Sequence, residues 1–281
     1  MEAPAGNGGR RDEPSRMTAS GLPLYRLLDP RDAADAAQRP IEDAVNIPLS
    51  ELSQRTHELT SHAETILVAG PRELADQTVT WLRAHGRGAE VAGSFEYLAA
   101  GGSLPPGRLW SPREFLLDVL PRLAPGRALD LACGCGREAV YLASCGWDVT
   151  AVDVLPEALA RGRALAERYG GIVRPIGWRQ LDLESQDAQF ESDYDLVIVF
   201  RFLHRPLLAR LRHWLRPGGS LVYETFTTLH RERHGKPARD AHVLRPGELC
   251  ELLYGLEIRD CSEGWRADGS HTARVWAARA S

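Results

Sequence analysis

From residue 128 to the C-terminus short apolar runs alternate with helical segments, and this pattern restricts the possible folds more than any other feature of the chain. The runs lie at 128–131, 149–152, 196–200 and 220–223, with helical segments such as 156–168 and 206–215 between them. Continuous apolar strands that alternate with helices imply a parallel sheet covered on both faces. The last two runs, 256–261 and 272–278, are joined by a glycine-containing turn without a helix, so they read as an antiparallel pair. At 281 residues the chain exceeds one ordinary domain. The cluster A-A-G-G-S-L-P-P-G-R at 99–108 marks the seam. The expected organisation is a disordered tail at 1–20, a small α/β domain at 21–102, a linker at 103–112 and a larger, doubly wound α/β domain at 113–281. Ser111-Pro112-Arg113-Glu114 has the form of a capping box with Pro at the first helical position. Phe115, Leu116, Val119, Leu120 and Leu123 then follow at helical spacing.

Composition removes several classes. With 43% apolar, 26% charged and 7% aromatic residues the chain is of globular type, and a net charge of −4 argues against a globally basic nucleic-acid coat. No run approaches the roughly 20 apolar residues that cross a bilayer, so no membrane partner is expected. The charged, Gly/Pro-rich start lacks the apolar core of a signal peptide. The five cysteines are odd in number and lack paired metal-ligand spacing. They fit a reducing, cytoplasmic setting with neither a zinc site nor a disulfide framework. Cys133 and Cys135 read as small loop fillers. Lys236 is the only lysine among 34 Lys and Arg residues, a bias better ascribed to genome composition than to function.

The segment A-L-D-L-A-C-G-C-G-R-E-A, residues 128–139, places an acid at the end of a buried strand and a glycine-rich turn before a helix. Gly134 and Gly136 let a ligand approach the backbone closely. Alone, the pattern also fits a dinucleotide fingerprint, with Asp153 ending the next strand as the ribose-binding acid. Two features favour S-adenosylmethionine. Asp130, four residues before Gly134, repels a pyrophosphate but attracts an ammonium or sulfonium. A further acid, Asp182, follows the third strand, where it can accept from an adenine amino group.

Asp130, Gly134, Gly136, Asp153 and Asp182, taken in order, resemble motifs I to III of the class I SAM-dependent methyltransferases. D-Y-D-L-V-I-V-F at 193–200 and L-R-P-G-G-S-L-V-Y-E-T-F at 215–226 extend the resemblance over roughly 108–281. G-C-G-R-E-A-V-Y-L-A, F-R-F-L-H-R and Y-E-T-F-T are similar to the tellurite-resistance-like branch of small methyltransferases. The resemblance implies S-adenosyl-L-methionine as cofactor. Asp130 and Gly134 would hold its methionine end and Asp153 its ribose, with Ala132 and Gly136 as further cofactor contacts. Val154 would meet the adenine face and Asp182 with Leu183 the adenine edge, and Phe200 would be a further cofactor contact. Arg137 either lines the methionine carboxylate or lies on the helix surface. Trp110 is read as a plug at the domain interface.

In the first domain, L-L-D-P-R-D at 27–32, A-V-N-I-P-L at 44–49 and I-L-V-A-G at 66–70 followed by W-L-R-A-H-G at 81–86 resemble rhodanese-like domains. In active members the strand corresponding to 66–68 leads into a loop that begins with a cysteine. Here Ala69 and Gly70 take that place, and no cysteine precedes Cys133. Without a thiolate there is no persulfide, so the implied domain is inactive and serves docking or stability, with a protein partner possible.

Methyl transfer from a sulfonium needs little beyond proximity and orientation, so catalytic residues are hard to name from sequence. Residues 201–245 hold ten Lys/Arg against three acids, and Arg201 and His204 follow the fourth strand at its carboxyl end. Arg201 and His204 are therefore the catalytic candidates, His204 as a proton acceptor. Tyr223, Glu224 and Arg245 are the candidate acceptor contacts, and no metal is expected. The favoured acceptor is a small anionic molecule or one bearing a thiol or hydroxyl. The alternatives are tRNA or another nucleic acid, with steep salt dependence, or a non-catalytic SAM-binding protein that uses its first domain for interaction.

Overall fold

The computed structural model describes residues 21–99, 102, 103, 105–185 and 188–281; the tail expected at 1–20 lies outside the described residues. The first part of the chain forms β1 (Leu27–Asp29), α1 (Ala33–Gln38), β2 (Ala44–Asn46), β3 (Ile66–Val68), α2 (Arg72–Ala84) and β4 (Ala89–Val91). Its four strands pair in parallel in the order β2-β1-β3-β4. Leu28, Ile47, Leu52, Leu59, Ile66, Val68, Val79 and Leu82 fill its core.

The second part contains α3 (Glu114–Val119), β5 (Arg127–Leu131), α4 (Arg137–Ser144), β6 (Asp148–Asp153), α5 (Pro156–Glu167) and β7 (Ile176–Gln180). It continues with β8 (Tyr194–Phe200), α6 (Arg205–Trp214), β9 (Leu215–Phe226), α7 (Thr228–His234), α8 (Glu248–Leu252), β10 (Glu257–Trp265) and β11 (His271–Ala278). The seven-stranded sheet has the order β10-β11-β9-β8-β5-β6-β7. β5 to β9 run parallel, and β11 pairs antiparallel with both β9 and β10. The order reverses between β5 and β8, which opens a crevice beyond their carboxyl ends.

Strand alternation assigns each side chain to a layer. Ala128, Ile198 and Val222 pack under α3 and α4, whereas Leu129, Leu131, Val197, Val199, Leu221 and Tyr223 pack under α6 and α8. Because Asp130 is paired with Ile198, and Phe200 with Glu224, all four share the α3 side of the sheet.

The expected capping box does not form. α3 begins at Glu114 with Arg113 in the capping position, and the Arg113 N–H donates to the Glu138 carboxylate at 3.1 Å rather than to a Ser111 cap. The helix then tightens into a 3₁₀ turn at Leu120–Arg122, because Pro121 lacks the N–H that another α turn would use. A second correction concerns the cysteines: Cys250 and Cys261 are joined in a disulfide that ties α8 to β10.

The seam between the two parts is closely tied. Arg108 and Leu24 form a parallel bridge, Leu109 enters the core of the small sheet, and Leu22 enters the core beneath α4. Trp110, fully buried, donates its indole N–H to the Tyr169 hydroxyl at 2.9 Å. Replacing Trp110 by Ala removes a buried aromatic whose surroundings cannot collapse to fill the space. Denaturant unfolding is expected to show a loss of about 3–5 kcal/mol.

Candidate functional site

Asp130 occupies the centre of the crevice. Its carboxyl group is 2% exposed, and one oxygen, Oδ2, has no hydrogen-bond partner. Burial raises its pKa well above the ordinary carboxylate range; the neighbouring Glu138 and Asp153 add to the rise and the Ala139 backbone N–H opposes it. An acid of this kind is poised for a cation. A ligand ammonium beside it would restore the charged form and relieve the unsatisfied oxygen, worth about 1–3 kcal/mol.

The turn above Asp130 is shaped for close approach. Ala132, Gly134 and Gly136 all have positive φ, at 55°, 54° and 69°. At Gly134 an added Cβ would meet nothing within 4 Å, so the turn borders open space. At Gly136 it would collide with the Trp178 ring. One glycine thus faces the ligand side and the other is required by packing. Asp153, at the end of β6, accepts the Gly134 N–H at 2.8 Å and the Leu155 N–H at 2.9 Å, so it fixes the turn's conformation. Each of its oxygens retains a lone pair for a ligand hydroxyl.

The remaining cofactor candidates distribute around this centre. Val154 and Leu155 are about half exposed, an apolar surface at the carboxyl end of β6. Leu183 is buried beneath the segment that follows β7. Asp182 is exposed, with one oxygen accepting the Glu184 N–H at 2.9 Å. Phe200 is partly buried against the α3-side core. Arg137 opens α4 directly after the glycine turn and has no hydrogen-bond or ion-pair partner among the described residues; burial lowers its pKa.

The acceptor-side candidates fare unequally. Arg201 directly follows β8 with φ 57°, a left-handed conformation that a non-glycine residue seldom adopts. Its Nη2 donates to Asp268 at 2.7 Å, and its guanidinium lies 5.0 Å from the centre of the Phe226 ring. Burial and the nearby Arg113 lower its pKa, while Asp268 and Glu224 oppose this. His204 caps α6 through its backbone, is half-buried, and its ring makes no hydrogen bond among the described residues. Glu224 accepts from the Thr272 hydroxyl at 2.8 Å.

One expected contact is corrected, and another is engaged only weakly elsewhere. Tyr223 is fully buried on the α6 side of the sheet, and its hydroxyl donates to the Phe202 carbonyl at 2.5 Å. Strand alternation sets it on the face opposite Asp130, so it cannot touch an acceptor there. Arg245 engages Glu248, a buried carboxylate that Arg205 also holds at 2.7 Å and whose pKa is lowered to about 2, chiefly by that Arg205 bond. The contact of Arg245 itself with Glu248 is long, 3.4 Å, and its side chain stays exposed.

The structure also brings forward residues that the sequence reading did not single out. His230 stacks on Phe226 with ring centres 4.1 Å apart, and its Nδ1 accepts the His271 N–H at 3.2 Å. Burial lowers its pKa, with His234 and Arg201 adding to the effect and Asp268 opposing it. The neutral ring therefore carries its proton on Nε2. The one available signal was the D-G-S turn at 268–270, which places Asp268 beside the end of β8. Among the described residues no group of three His, Cys, Asp or Glu side chains gathers to hold a metal ion. No described helix is long and apolar enough to cross a membrane.

With the geometry established, comparisons with known proteins give the class. Residues 129–221 match the methyltransferase domain family, the stretch that holds Asp130, the glycine turn, Asp153 and β8. Over that stretch the chain is similar to the methyltransferase domain family, and its cofactor is S-adenosyl-L-methionine. An uncharacterised protein of Schizosaccharomyces pombe is 26% identical over 286 residues, covering 81% of this chain and 84% of that one. The ribosomal RNA small subunit methyltransferase C of Alcanivorax borkumensis is 31% identical over 153 residues, 50% of this chain, and the match spans less than half of that enzyme, 45%. In fold, the chain is similar to TehB from Haemophilus influenzae, with a TM-score of 0.50 at 20% identity over 60% of this chain and 62% of that one.

The raised pKa of Asp130 has a definite sign in the linkage. The folded, ligand-free protein binds a proton that the unfolded chain releases near the ordinary carboxylate pKa. Stability therefore falls as pH rises from that range toward the raised value. Asp130→Asn keeps the shape and removes the charge. Thermal unfolding without ligand is expected to show it more stable than wild type at neutral pH by about 1–3 kcal/mol. Calorimetric titration is expected to show its affinity for S-adenosylhomocysteine at least tenfold weaker.

Proposed function

We propose that this protein transfers a methyl group from S-adenosyl-L-methionine to a small acceptor that carries an oxyanion beside a thiol or hydroxyl. The observation that carries the cofactor half is the buried Asp130 oxygen without a partner beneath a turn that borders open space. These residues fit the cofactor. Asp130 and the backbone around Ala132 and Gly134 receive the ammonium, Arg137 takes the carboxylate, and Gly136 sets the turn. Asp153 accepts from the ribose hydroxyls, Val154 covers the adenine face, Asp182 and Leu183 meet its edge, and Phe200 closes the floor. When bound, the cofactor supplies a methyl group on a positively charged sulfur, already activated for in-line displacement.

What remains for the protein is placement, which can contribute roughly 7–11 kcal/mol. Arg201 uses one nitrogen on Asp268, which leaves Nε and Nη1 for the acceptor's anionic group. Arg113 lies near enough for its charge to depress Arg201 and presents a second cation. Phe226 and His230 form an aromatic wall, and His230, with its proton on Nε2, donates to the acceptor rather than abstracting from it. The half-buried His204 ring, which makes no hydrogen bond among the described residues, is the group that takes the acceptor's proton. Glu224 orients the wall through Thr272.

For the first domain we propose a rhodanese-like fold without sulfur transfer, because Ala69 and Gly70 follow β3 where a nucleophile would be needed. The fission-yeast relative supports treating both domains as one unit. Its match covers 81% of the chain, more than the second domain alone provides.

Incubating the full chain with labelled S-adenosylmethionine and a panel of thiols, hydroxylated carboxylates, inorganic oxyanions and bulk tRNA tests the reading. Transfer is expected to a small acceptor. Arg201→Met is expected to lower kcat/KM about 10–100-fold, the loss of a charge-assisted hydrogen bond, with cofactor affinity unchanged. Turnover on tRNA alone, steeply salt dependent, would replace the small-acceptor reading, and absence of turnover on every acceptor would leave a cofactor-binding protein.

A further inference from the structure

Away from the crevice, residues 55–60 of the small domain meet the large one just past the end of α5, through Arg168, and positive charge accumulates there. Arg168, just past α5, donates to Glu58 at 2.9 Å; Glu58 also takes Arg55 at 2.7 Å, and Arg55 reaches Glu51 at 2.9 Å. Arg87 donates to the carbonyls of Thr60 and Thr56 on the same loop, at 2.8 and 3.3 Å. Arg161 stands seven residues before Arg168 and so on the same face of the helix. Arg137 opens α4, whose preceding turn touches α5, since a Cβ on Gly162 would lie 3.4 Å from the Cys135 carbonyl.

Of these five arginines only Arg55 and Arg168 reach the two carboxylates. Among the described residues Arg87, Arg137 and Arg161 have no ion pair with any acid. In the same interface His57 is almost buried, and both of its ring nitrogens lack a hydrogen-bond partner. Burial lowers its pKa; Glu58 opposes this, and Arg137, Arg161 and Arg168 add to it. Unpaired guanidinium groups brought together by folding repel one another, and a doubly charged anion reverses the sign of that interaction. Planar, multiply donating guanidinium groups match a tetrahedral oxyanion in geometry as well as charge.

We propose that this interdomain surface is a binding site for a tetrahedral oxyanion of the phosphate class, held by Arg161 from the large domain and Arg87 from the small one. The nearby charge of Arg137, whose guanidinium serves the cofactor, adds to the positive potential. Its occupation would clamp the two domains together. The groups facing His57 are Glu58, Arg137, Arg161 and Arg168, so an anion placed among the arginines makes the potential at the imidazole less positive and draws a proton onto it. Binding at this surface and protonation of His57 are thereby coupled. The site touches the cofactor crevice only through Arg137.

Sulfate is the suitable first probe, because it does not itself titrate near neutral pH. Calorimetric titration of the full chain with sodium sulfate, in two buffers of different ionisation enthalpy and against sodium chloride at equal ionic strength, is expected to show saturable binding with net proton uptake. Arg161→Gln, at an exposed position, should weaken sulfate at least tenfold, and His57→Gln should bind sulfate with the proton uptake lost. Both variants should bind S-adenosylhomocysteine as wild type does, which verifies their folding. A parallel titration with inorganic phosphate and glycerol 3-phosphate distinguishes a free ion from a phosphate ester as the preferred ligand. Sulfate heats equal to those of chloride, or undiminished sulfate binding by Arg161→Gln, would overturn the site. Proton uptake that persists in His57→Gln would overturn the coupling.

Discussion

A carboxylic acid enclosed in the middle of a sheet is the constraint around which the large domain is organised. Asp130 is paired on both sides by neighbouring strands and covered by α4, so it cannot turn to water, and one of its oxygens remains without a donor. An apolar residue at that position would pack without penalty. Retaining an acid there makes sense only if a cation reaches it, and the glycine turn is what keeps the route open. Asp153 acts one layer further out: by holding the Gly134 and Leu155 amides it keeps that turn in a conformation that other sequences would not sustain.

The sheet and its direction could be read from the alternation of apolar runs, because strands buried on both faces have few other ways to be satisfied. The cofactor residues could be read for a related reason: they sit at strand ends or in a turn, where local sequence decides position. The acceptor side could not. Whether Tyr223 or Glu224 points toward Asp130 depends on the register between β8 and β9, a long-range pairing that one sequence does not reveal. His230 and Asp268 meet Arg201 only after α7 and the β10–β11 turn fold back over the sheet. The Cys250–Cys261 bond was missed in the same way, since the two residues adjoin only when α8 packs beside β10.

Charge counting along the chain misleads for a similar reason. The segment 201–245 looks strongly basic, yet many of its arginines are neutralised by acids elsewhere in the sequence or within it. Arg201 pairs with Asp268, Arg205 and Arg245 with Glu248, Arg216 with Asp195, and Arg231 with Asp240. These pairs fix loops and helices to the sheet and reduce the free potential along that stretch. The ion pairs that bear on ligand binding are therefore those that are missing. By that criterion Arg137 stands out on the cofactor side, because folding desolvates it beside the glycine turn and gives it no protein carboxylate, while within the basic segment Arg201 keeps two nitrogens that Asp268 does not use. The same reasoning carries from the crevice to the interdomain surface. In both, the protein holds a polar or charged group in a state that water would have satisfied, and in both the economical explanation is a ligand of opposite charge, cationic at Asp130 and anionic at the arginines.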